Sequence, residues 1–473
     1  MHPTPEEWRG RKVAVVGLGI SNLALIRLLR RHGARVEVRD QANAEALGPR
    51  YRETMALGAT LRLGPHYLED LTSFDTVFVT PGIPKDLPQL QGLPLSTEID
   101  LVFRYCRAPI IGITGSAGKS TTTRLVGDMC SRVFPHTYVG GNLGRPLVEE
   151  APHIPPEGRV VLELSSFQLE LLPVSPVIAG VLNFRPNHLD IHRTLENYAR
   201  AKKQIYRQQK PQDWIVFNRD DPALVSWWGE GPGKEAGFSR RAPVRPGVWL
   251  LPEEDEAQAH LPRYLPGPEG PLPPVRGPLF RRSAIPLRGV HNEENVLAAS
   301  ALALLAGVPE EAVREAIPAF RPLPHRLEVV AEKDGILFIN DSIATSPDRT
   351  LAALEAMEQP VILLAGGYDK GLSFDPLAPK ILAKVKVLIL MGRTADAIEM
   401  AVRRAAASSA DLPVILRASN LEEGVELAVD HSRPGQVVLL SPASASFDMF
   451  PNFEARGEAF RLAVHKRLHL LQP

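Results

Sequence analysis

Short apolar runs alternate with longer amphipathic stretches along most of the 473-residue chain. Short β-branched and aliphatic runs between polar turns are typical of buried strands, whereas apolar residues spaced three and four apart indicate helices. The predicted strands are residues 12–16, 35–38, 76–79, 159–164, 177–182, 336–339, 361–364, 385–391, 414–416 and 437–440. The predicted helices run from about residue 20 to Arg31 and over 292–306 and 310–320. This alternation predicts an α/β protein with open, mostly parallel sheets.

One segment departs from this alternation. From about Trp227 to Pro286 the sequence is rich in Pro, Gly and Arg, as in Leu-Pro-Gly-Pro-Glu-Gly-Pro-Leu-Pro-Pro at 265–274. This composition predicts loops and short hairpin strands with little helix, and a partly disordered insertion is the alternative. The segment contains no catalytic or binding motif that we can assign.

The length predicts two to four domains with ample core. The formal net charge is zero, which gives no indication of a nucleic-acid partner or an acidic membrane surface. The sequence has no apolar run long enough to span a bilayer and no N-terminal pattern of a signal peptide. Cys106 and Cys130 are its two cysteines, which suggests buried, reduced thiols in a cytoplasmic protein.

The strongest chemical signal lies at residues 110–123, where an apolar run leads into a glycine-rich turn and then into Lys119 and Ser120. Such a turn points backbone N–H groups at phosphate oxygens, the lysine reaches the outer phosphates, and the hydroxyl can hold Mg²⁺. Ile113 stands where the ordinary phosphate-binding loop has glycine, so the motif is a variant. We predict that ATP contacts Thr114, Gly115, Ser116, Ala117, Gly118, Lys119, Ser120 and Thr121.

The N-terminal segment predicts a βαβ unit of the dinucleotide-binding type. Gly-Leu-Gly-Ile-Ser-Asn at 17–22 follows the first strand, and Asp40 closes the second. Asn22 occupies the place of the third glycine, so NAD binding does not follow. The alternative for Asp40 is an ordinary solvated carboxylate at a strand end. Gly82 lies in the turn after strand 76–79, where ligands gather in open sheets.

Further polar clusters follow other predicted strands. Glu163 ends an apolar strand and can complete a Mg²⁺ shell opposite Ser120. A cluster with two histidines, an aspartate and two lysines lies in 183–206, after another apolar strand, which favours metal and phosphate chemistry. Residues 340–345, 366–371 and 441–448 follow three strands of the last unit and are expected to converge on one sheet edge, where they can bind a small carboxylate.

Ordered motifs across nearly the whole chain resemble those of the Mur ligases. They are Gly-Ile-Thr-Gly-Ser-Ala-Gly-Lys-Ser-Thr at 112–121, Gly-Gly-Asn-Leu-Gly at 140–144, Glu-Leu-Ser-Ser-Phe-Gln-Leu-Glu at 163–170, Asn-His-Leu-Asp at 187–190, Glu-Asn-Tyr-Ala-Arg-Ala-Lys at 196–202, His-Asn-Glu-Glu-Asn at 291–295, Pro-His-Arg at 324–326, Asn-Asp-Ser at 340–342, Gly-Gly-Tyr-Asp-Lys at 366–370 and the segment 441–457. Leu-Ser-Ser-Phe-Gln-Leu-Glu and Asn-Phe-Glu-Ala-Arg-Gly at 452–457 resemble the members that add D-glutamate.

The resemblance implies three domains: a Rossmann-like UDP-binding domain at 1–107, a central P-loop-type ATPase domain with a mostly parallel sheet at 108–321, and a Rossmann-like amino-acid-binding domain at 322–473. It implies a monomeric, cytoplasmic ligase that uses ATP and Mg²⁺ to add D-glutamate to UDP-N-acetylmuramoyl-L-alanine through an acyl phosphate. Neither nucleic-acid binding nor membrane insertion is expected.

The resemblance also implies residue roles. The implied contacts with the UDP-linked substrate are Ile20, Ser21, Asp40, Gly82, Asn142, Ser165 and His188. The implied further contacts with ATP are Asn295, Arg326 and Asp341. The implied metal ligands are Ser120, Glu163, His188 and Lys202, the last as a carbamate. The implied catalytic residues are Lys119, Glu163, His188, Lys202 and Asp341, and the amino-acid contacts are Thr345, Lys370, Ser446 and Phe453 through its backbone.

Three positions depart from the family pattern. Ile343 stands where many members have lysine, Ser116-Ala117 replace the commoner Thr-Asn, and Asn22 replaces a common glycine. Alternative functions are a related ligase of other amino-acid specificity (L-glutamate, L-alanine, a diamino acid or a dipeptide), folylpolyglutamate synthase, a nicotinamide dehydrogenase and a non-catalytic nucleotide-binding regulator. The last domain lacks the Asp-Asn-Pro-Arg expected of the diamino-acid enzyme.

Overall fold

The computed structural model describes residues 3–143, 145–186, 192–287, 289–321, 324–369, 372–406 and 412–470. The chain forms two compact units, one of Met1–Pro286 with His291–Phe320 and the other of Leu287–Val290 with Arg321–Pro473. Both are α/β, as predicted. The boundary predicted at 107/108 lies inside the first unit and stays a prediction. In the described ranges, no helix is both long and apolar enough to cross a membrane.

The first sheet of the first unit is wholly parallel, with strand order β3-β2-β1-β4-β5. Its strands are β1 (Lys12–Val16), β2 (Arg35–Asp40), β3 (Thr60–Leu63), β4 (Thr76–Val79) and β5 (Leu95–Ser96). Its helices are α1 (Ile20–Arg31), α2 (Ala44–Leu47), α3 (Pro49–Ala56) and α4 (Glu98–Tyr105). The predicted βαβ start is therefore confirmed, and it brings the loops after β1, β2 and β4 to one edge.

The second sheet has nine strands in the order β14-β13-β12-β11-β10-β9-β6-β8-β7. The strands are β6 (Ile110–Thr114), β7 (Thr137–Gly141), β8 (Arg159–Glu163), β9 (Ile178–Val181), β10 (Trp214–Asn218), β11 (Lys234–Ser239), β12 (Gly247–Trp249), β13 (Glu256–Leu261) and β14 (Val275–Arg281). The helices are α5 (Lys119–Ser131), α6 (Ser166–Leu169), α7 (Leu195–Arg207), α8 (Pro222–Ser226), α9 (Val290–Leu305) and α10 (Glu310–Ala319). Every residue of β6 is buried, since helices cover the central parallel strands.

The proline-rich segment supplies one end of this sheet. Strands β12, β13 and β14 pair antiparallel to one another, whereas β6 to β12 pair in parallel. The prediction of short hairpin strands is therefore confirmed, in preference to the alternative of a partly disordered insertion. Proline has no N–H donor, and an edge strand tolerates it because it pairs with a neighbour on one side only. This explains how a proline-rich segment can contribute strands to the sheet.

The second unit contains a six-stranded sheet in the order β15-β16-β20-β17-β18-β19, parallel except for β15. Its strands are β15 (Glu328–Lys333), β16 (Ile336–Asn340), β17 (Val361–Gly366), β18 (Val385–Met391), β19 (Val414–Arg417) and β20 (Val437–Leu440). Its helices are α11 (Pro347–Glu355), α12 (Ala378–Lys384), α13 (Ala395–Ala405), α14 (Leu421–Asp430) and α15 (Phe453–Arg467). Because β16 and β17 flank β20, the three predicted strand ends do meet at one edge.

Candidate active site

The glycine-rich loop joins β6 to α5, which begins at Lys119. Gly118 has φ +80°, and a Cβ there would overlap the Oδ1 of Asn295. Only glycine allows this left-handed turn and this close approach. Thr122 contacts the same amide, with its Oγ1 3.4 Å from the Asn295 Oδ1. Asn295, a predicted nucleotide contact from α9, therefore packs directly on the loop.

Asn183, to which the sequence analysis assigned no role, follows β9 and holds the loop in place. Its Oδ1 accepts a hydrogen bond from the Ala117 N–H at 2.8 Å, and its Nδ2 donates to the Ala117 carbonyl at 3.1 Å. The Ser116 Oγ accepts from the Arg185 N–H at 2.9 Å and lies 3.2 Å from the Tyr198 hydroxyl. These contacts explain how Ser116-Ala117 is accommodated in the loop.

Two lysines meet at one carbonyl oxygen of the loop. The Nζ of Lys119 and the Nζ of Lys202 each donate to the Gly115 carbonyl at 2.9 Å. Lys202 comes from the middle of α7 and is 1% exposed. The adjacent Lys203 points elsewhere and forms an ion pair with Glu230 at 2.7 Å. The structure thus brings Lys202 to the loop and keeps Lys203 outside.

Burial lowers the pKa of Lys202 well below its ordinary value. The positive charge of Lys119 lowers the pKa further, and the negative charge of Glu163 opposes both effects. The ring of Tyr198 lies 4.7 Å from the Lys202 Nζ. An amine in these surroundings favours the neutral form, which is the nucleophilic form of lysine.

Glu163 closes β8 and is 2% exposed. Its Oε1 accepts a hydrogen bond from the Asn142 Nδ2 at 2.7 Å, and the Asn142 N–H donates to the Glu163 carbonyl at 2.8 Å. Its Oε2 is buried and accepts no hydrogen bond from any described residue. A buried carboxylate oxygen without a donor is costly unless something else binds it, so this atom fits a cation ligand.

The predicted metal ligands are of mixed kinds. Within the described ranges, no group of three or more His, Cys, Asp and Glu side chains is placed to hold a metal ion. The predicted metal site would therefore depend on Glu163 and on a hydroxyl such as that of Ser120, the second residue of α5. His188 and the rest of Asn-His-Leu-Asp at 187–190 lie outside the described residues.

The edge of the first sheet is organised by Asp40. Its Oδ2 accepts from the Leu18 N–H at 2.7 Å and its Oδ1 from the Ala42 N–H at 2.8 Å. Asn22 is buried and its Nδ2 donates to the Gly17 carbonyl at 2.7 Å, so the residue that replaces a glycine ties the turn to α1. The other predicted contacts at this edge are the exposed Ile20, the half-buried Ser21 and the exposed Gly82.

Ser165 caps the short helix α6. Its Oγ accepts from the Gln168 N–H at 3.3 Å, while the Gln168 side chain accepts from the Ser165 N–H, which forms a capping box. Within this helix the Phe167 ring stacks on His192 with centroids 4.8 Å apart, and the His192 Nε2 lies 2.9 Å from the Ser166 Oγ. The structure thus gives Ser165 a local structural role and reveals an aromatic pair beside it.

In the second unit, Asp341 follows β16 and is buried. Its Oδ2 accepts from the Ser441 Oγ at 2.8 Å and its Oδ1 from the Leu327 N–H at 3.2 Å. Burial raises its pKa to about 7, against the opposing effects of Ser441 and of the Arg326 charge. His325 and Leu327, on either side of Arg326, both have positive φ, which is a strained backbone for non-glycine residues. The charge of Arg326 thus acts on Asp341, while the contact of both residues with the nucleotide stays a prediction.

Arg456, which the sequence reasoning left without a role, joins two of the strand-end loops. It is 1% exposed. Its Nε and Nη2 donate to the Oγ and carbonyl of Ser342, and its Nη1 donates to the carbonyls of Ser444 and Ala445. The Ser342 Oγ donates in turn to the Phe453 carbonyl at 2.8 Å.

The predicted amino-acid contacts lie around these loops. Thr345 is half-buried, Ser446 is buried, and Phe453 begins α15. Lys370 lies outside the described residues. The shared edge supports grouping these positions, while their role stays a prediction.

Three domain families of the Mur ligases match successive stretches of the chain. The MurD-like N-terminal domain of Mur ligases matches residues 11–98, the Mur ligase middle domain matches 113–303, and the Mur ligase glutamate ligase domain matches 325–444. A relative from Symbiobacterium thermophilum, named UDP-N-acetylmuramoylalanine–D-glutamate ligase, is 49% identical over 96% of this chain and 97% of its own length.

Two solved structures share the fold. MurC from Thermotoga maritima aligns with a TM-score of 0.57 and 20% identity over 98% of this chain and all of its own. The MurF ligase of the same organism, in complex with ADP, aligns with a TM-score of 0.53 and 17% identity over 98% of this chain and 97% of its own. With near-full-length identity of 49% to a named member, the chain belongs to the Mur ligase family.

Proposed function

We propose that this protein joins D-glutamate to UDP-N-acetylmuramoyl-L-alanine in an ATP-dependent reaction that releases ADP and phosphate. The name of the 49% identical relative supports the reaction and both substrates. The structural observation that carries the proposal is the meeting of Lys119 and Lys202 at the Gly115 carbonyl, near the Glu163 carboxylate. A protein that merely binds nucleotide has no need of a second, buried lysine at that place.

The chemistry follows from the poor leaving group of a carboxylate. The alanine carboxylate of the UDP-linked substrate attacks the γ-phosphorus of ATP, and the bond to the β–γ bridging oxygen breaks to release ADP. The glutamate amine then attacks the acyl phosphate carbonyl, loses a proton and expels phosphate. Both steps bring anions together, so the loop N–H groups and Lys119 neutralise charge and fix the reacting groups.

The described donors fit Mg²⁺, because Glu163 offers a buried oxygen without a hydrogen bond and Ser120 offers a hydroxyl at the start of α5. Bound there, Mg²⁺ supplies charge stabilisation of the phosphate oxygens. Asn142 orients the Glu163 carboxylate through the hydrogen bond to its Oε1. His188 completes the proposed ligand set.

Lys202 enters this set as a carbamate. The neutral amine favoured by burial adds to CO2, forming an N–C bond and releasing one proton, and the resulting carboxylate oxygens suit Mg²⁺. The modification also places a negative charge next to Lys119, where a protonated Lys202 would be repelled.

The second unit holds the remaining groups in this proposal. Asp341 and Arg326 contact the nucleotide, and Thr345, Lys370, Ser446 and the Phe453 backbone contact the two carboxylates of the amino acid. Two buried free cysteines support the cytoplasmic location, since neither forms a disulfide.

The test is phosphate release from ATP with UDP-N-acetylmuramoyl-L-alanine and, one at a time, D-glutamate, L-glutamate, L-alanine and meso-diaminopimelate. Release only with D-glutamate is expected. Release with another amino acid would keep the ligase mechanism and change the assigned substrate. No release with any of them, alongside measurable ATP binding, would overturn the proposed function. Lys119→Ala is the inactive control, because it removes the cation that neutralises the phosphates.

A further inference from the structure

An exposed arginine reaches over the loop that carries the predicted amino-acid contacts. Arg349 lies in the first turn of α11, and its Nη1 donates to the Ile343 carbonyl at 3.1 Å. Ile343 lies between Asp341 and Thr345 on the loop after β16. The guanidinium therefore lies at the sheet edge where three strand ends meet.

Among the described side chains, no carboxylate forms an ion pair with Arg349. Asp341 is close enough for Arg349 to act on its charge, but the Asp341 oxygens already accept from Leu327 and Ser441. A cation in the first turn of a helix is also disfavoured by the helix dipole. The stability of the helix therefore does not explain an arginine at this place.

We propose that Arg349 binds a carboxylate of the incoming amino acid and supplies the positive charge that Ile343 does not provide. The guanidinium has N–H donors beyond the one used on Ile343, and its planar fork matches a carboxylate with two parallel hydrogen bonds. Thr345, half-buried on the same loop, offers a hydroxyl for the same anion. Thr345 is a predicted contact of the amino acid, so a carboxylate of the amino acid is the anion assigned to this place. This inference rests on the proposed ligase function.

The test compares steady-state kinetics of the full-length protein and four variants. Arg349→Gln should raise the KM for D-glutamate about tenfold or more, the effect of losing a charge-assisted hydrogen bond, with the KM for ATP within about twofold. Arg349→Lys should recover part of the loss. The double variant Ile343→Lys with Arg349→Gln should recover most of it, because it returns an ammonium group to the same loop. Arg403→Gln is the matched control, an exposed arginine of α13 paired with Glu399.

The outcomes separate the two claims. An unchanged KM for D-glutamate in Arg349→Gln, with a wild-type thermal unfolding curve, would overturn the inference and leave the ligase function intact. A rise confined to the KM for ATP would also overturn it, by assigning the guanidinium to a phosphate. Failure of the double variant to recover, while Arg349→Lys recovers, would refute the claim that position 343 can carry the charge. A wild-type protein without ligase activity would instead overturn the proposed function.

Discussion

Lys119 and Lys202 donate hydrogen bonds to the same oxygen, the carbonyl of Gly115, each at 2.9 Å. Two ammonium groups on one acceptor repel each other, and the buried one has the lowered pKa. The Lys119 Nζ also donates to the Ser116 carbonyl at 3.4 Å, and the buried Lys202 is the one of the two lysines that more readily loses its positive charge. The geometry therefore supports a role for Lys202 as a reactive amine and not as a partner in an ion pair.

Lys202→Ala should lower the ligase rate about 100-fold or more, because it removes a group that the proposal places at the metal. A short carboxylate such as formate or acetate should restore part of the rate by replacing the carbamate oxygens. Lys203→Ala is the matched control, since Lys203 pairs with Glu230 outside the loop. Full activity of Lys202→Ala without added carboxylate would refute the carbamate.

Glu163→Gln should raise the Mg²⁺ concentration for half-maximal activity about 10- to 100-fold. The amide keeps an oxygen for the Asn142 hydrogen bond but removes the negative charge and the unpartnered Oε2. Titration of phosphate release with MgCl2 measures this shift, with the exposed Glu157→Gln as control. An unchanged Mg²⁺ dependence would exclude Glu163 as a ligand.

Gly118→Ala should destabilise the first unit by about 1–3 kcal/mol through backbone strain, and the overlap with Asn295 should add to that loss. Gly64→Ala is a matched control, because Gly64 has φ +89° with no atom within 4 Å of the place that a Cβ would occupy. Thermal unfolding of both variants measures the difference. Equal shifts would mean that the loop moves to accommodate the methyl group and that the Asn295 contact is dispensable.

Glu98 provides a pH test. It lies at the start of α4 in the interior, where burial raises its pKa to about 8. The folded protein therefore keeps this proton up to about pH 8, whereas the unfolded chain loses it near its ordinary pKa of 4.5. The contribution of Glu98 to stability is thus fully present below pH 4.5 and is lost as the pH rises to 8, by at most about 1.4 kcal/mol per pH unit.

The Glu98→Gln side chain cannot ionise. The unfolding temperature of this variant, relative to that of the wild type, should therefore rise between pH 5 and pH 8 and stay constant above pH 8. Thermal unfolding at pH 5, 7 and 9 measures this, with the exposed Glu45→Gln as control. A difference that stays the same at all three values would show that Glu98 does not hold its proton.

Sequence reasoning succeeded where the signal is local. The glycines and Lys119 follow β6 directly, so strand, turn and helix start can be predicted from one short segment. It missed groups whose roles depend on distant pairing. Asn183 holds Ala117 from 66 positions away, and Arg456 joins Ser342 to Ser444 across the second unit. Asn and Arg at such positions are also common on surfaces, so the residue type alone carries no signal.

Polar edge strands were missed for a related reason. Strand β15 has the sequence Glu-Val-Val-Ala-Glu-Lys and pairs antiparallel at the edge of its sheet, so it lacks the continuous apolar run of the buried parallel strands. The left-handed backbone at His325 and Leu327 likewise has no clear sequence signature, because leucine disfavours it and histidine adopts it only in a small minority of cases. Tertiary contacts around Asp341 impose it.

Arg456→Gln should destabilise the second unit by about 2–4 kcal/mol, because four backbone and hydroxyl acceptors in the interior lose their donors. It should also raise the KM for D-glutamate, since the Ser342 loop and the Ser444–Ala445 loop are held together by this guanidinium. Arg456→Lys should recover stability only in part, as one ammonium group cannot span both loops. Arg461→Gln, on the same helix and paired with Glu328 and Glu458, is the control. If Arg456→Gln unfolds at a lower temperature while its KM for D-glutamate stays unchanged, the guanidinium supports the fold alone, and the amino-acid contacts do not depend on the spacing of these two loops.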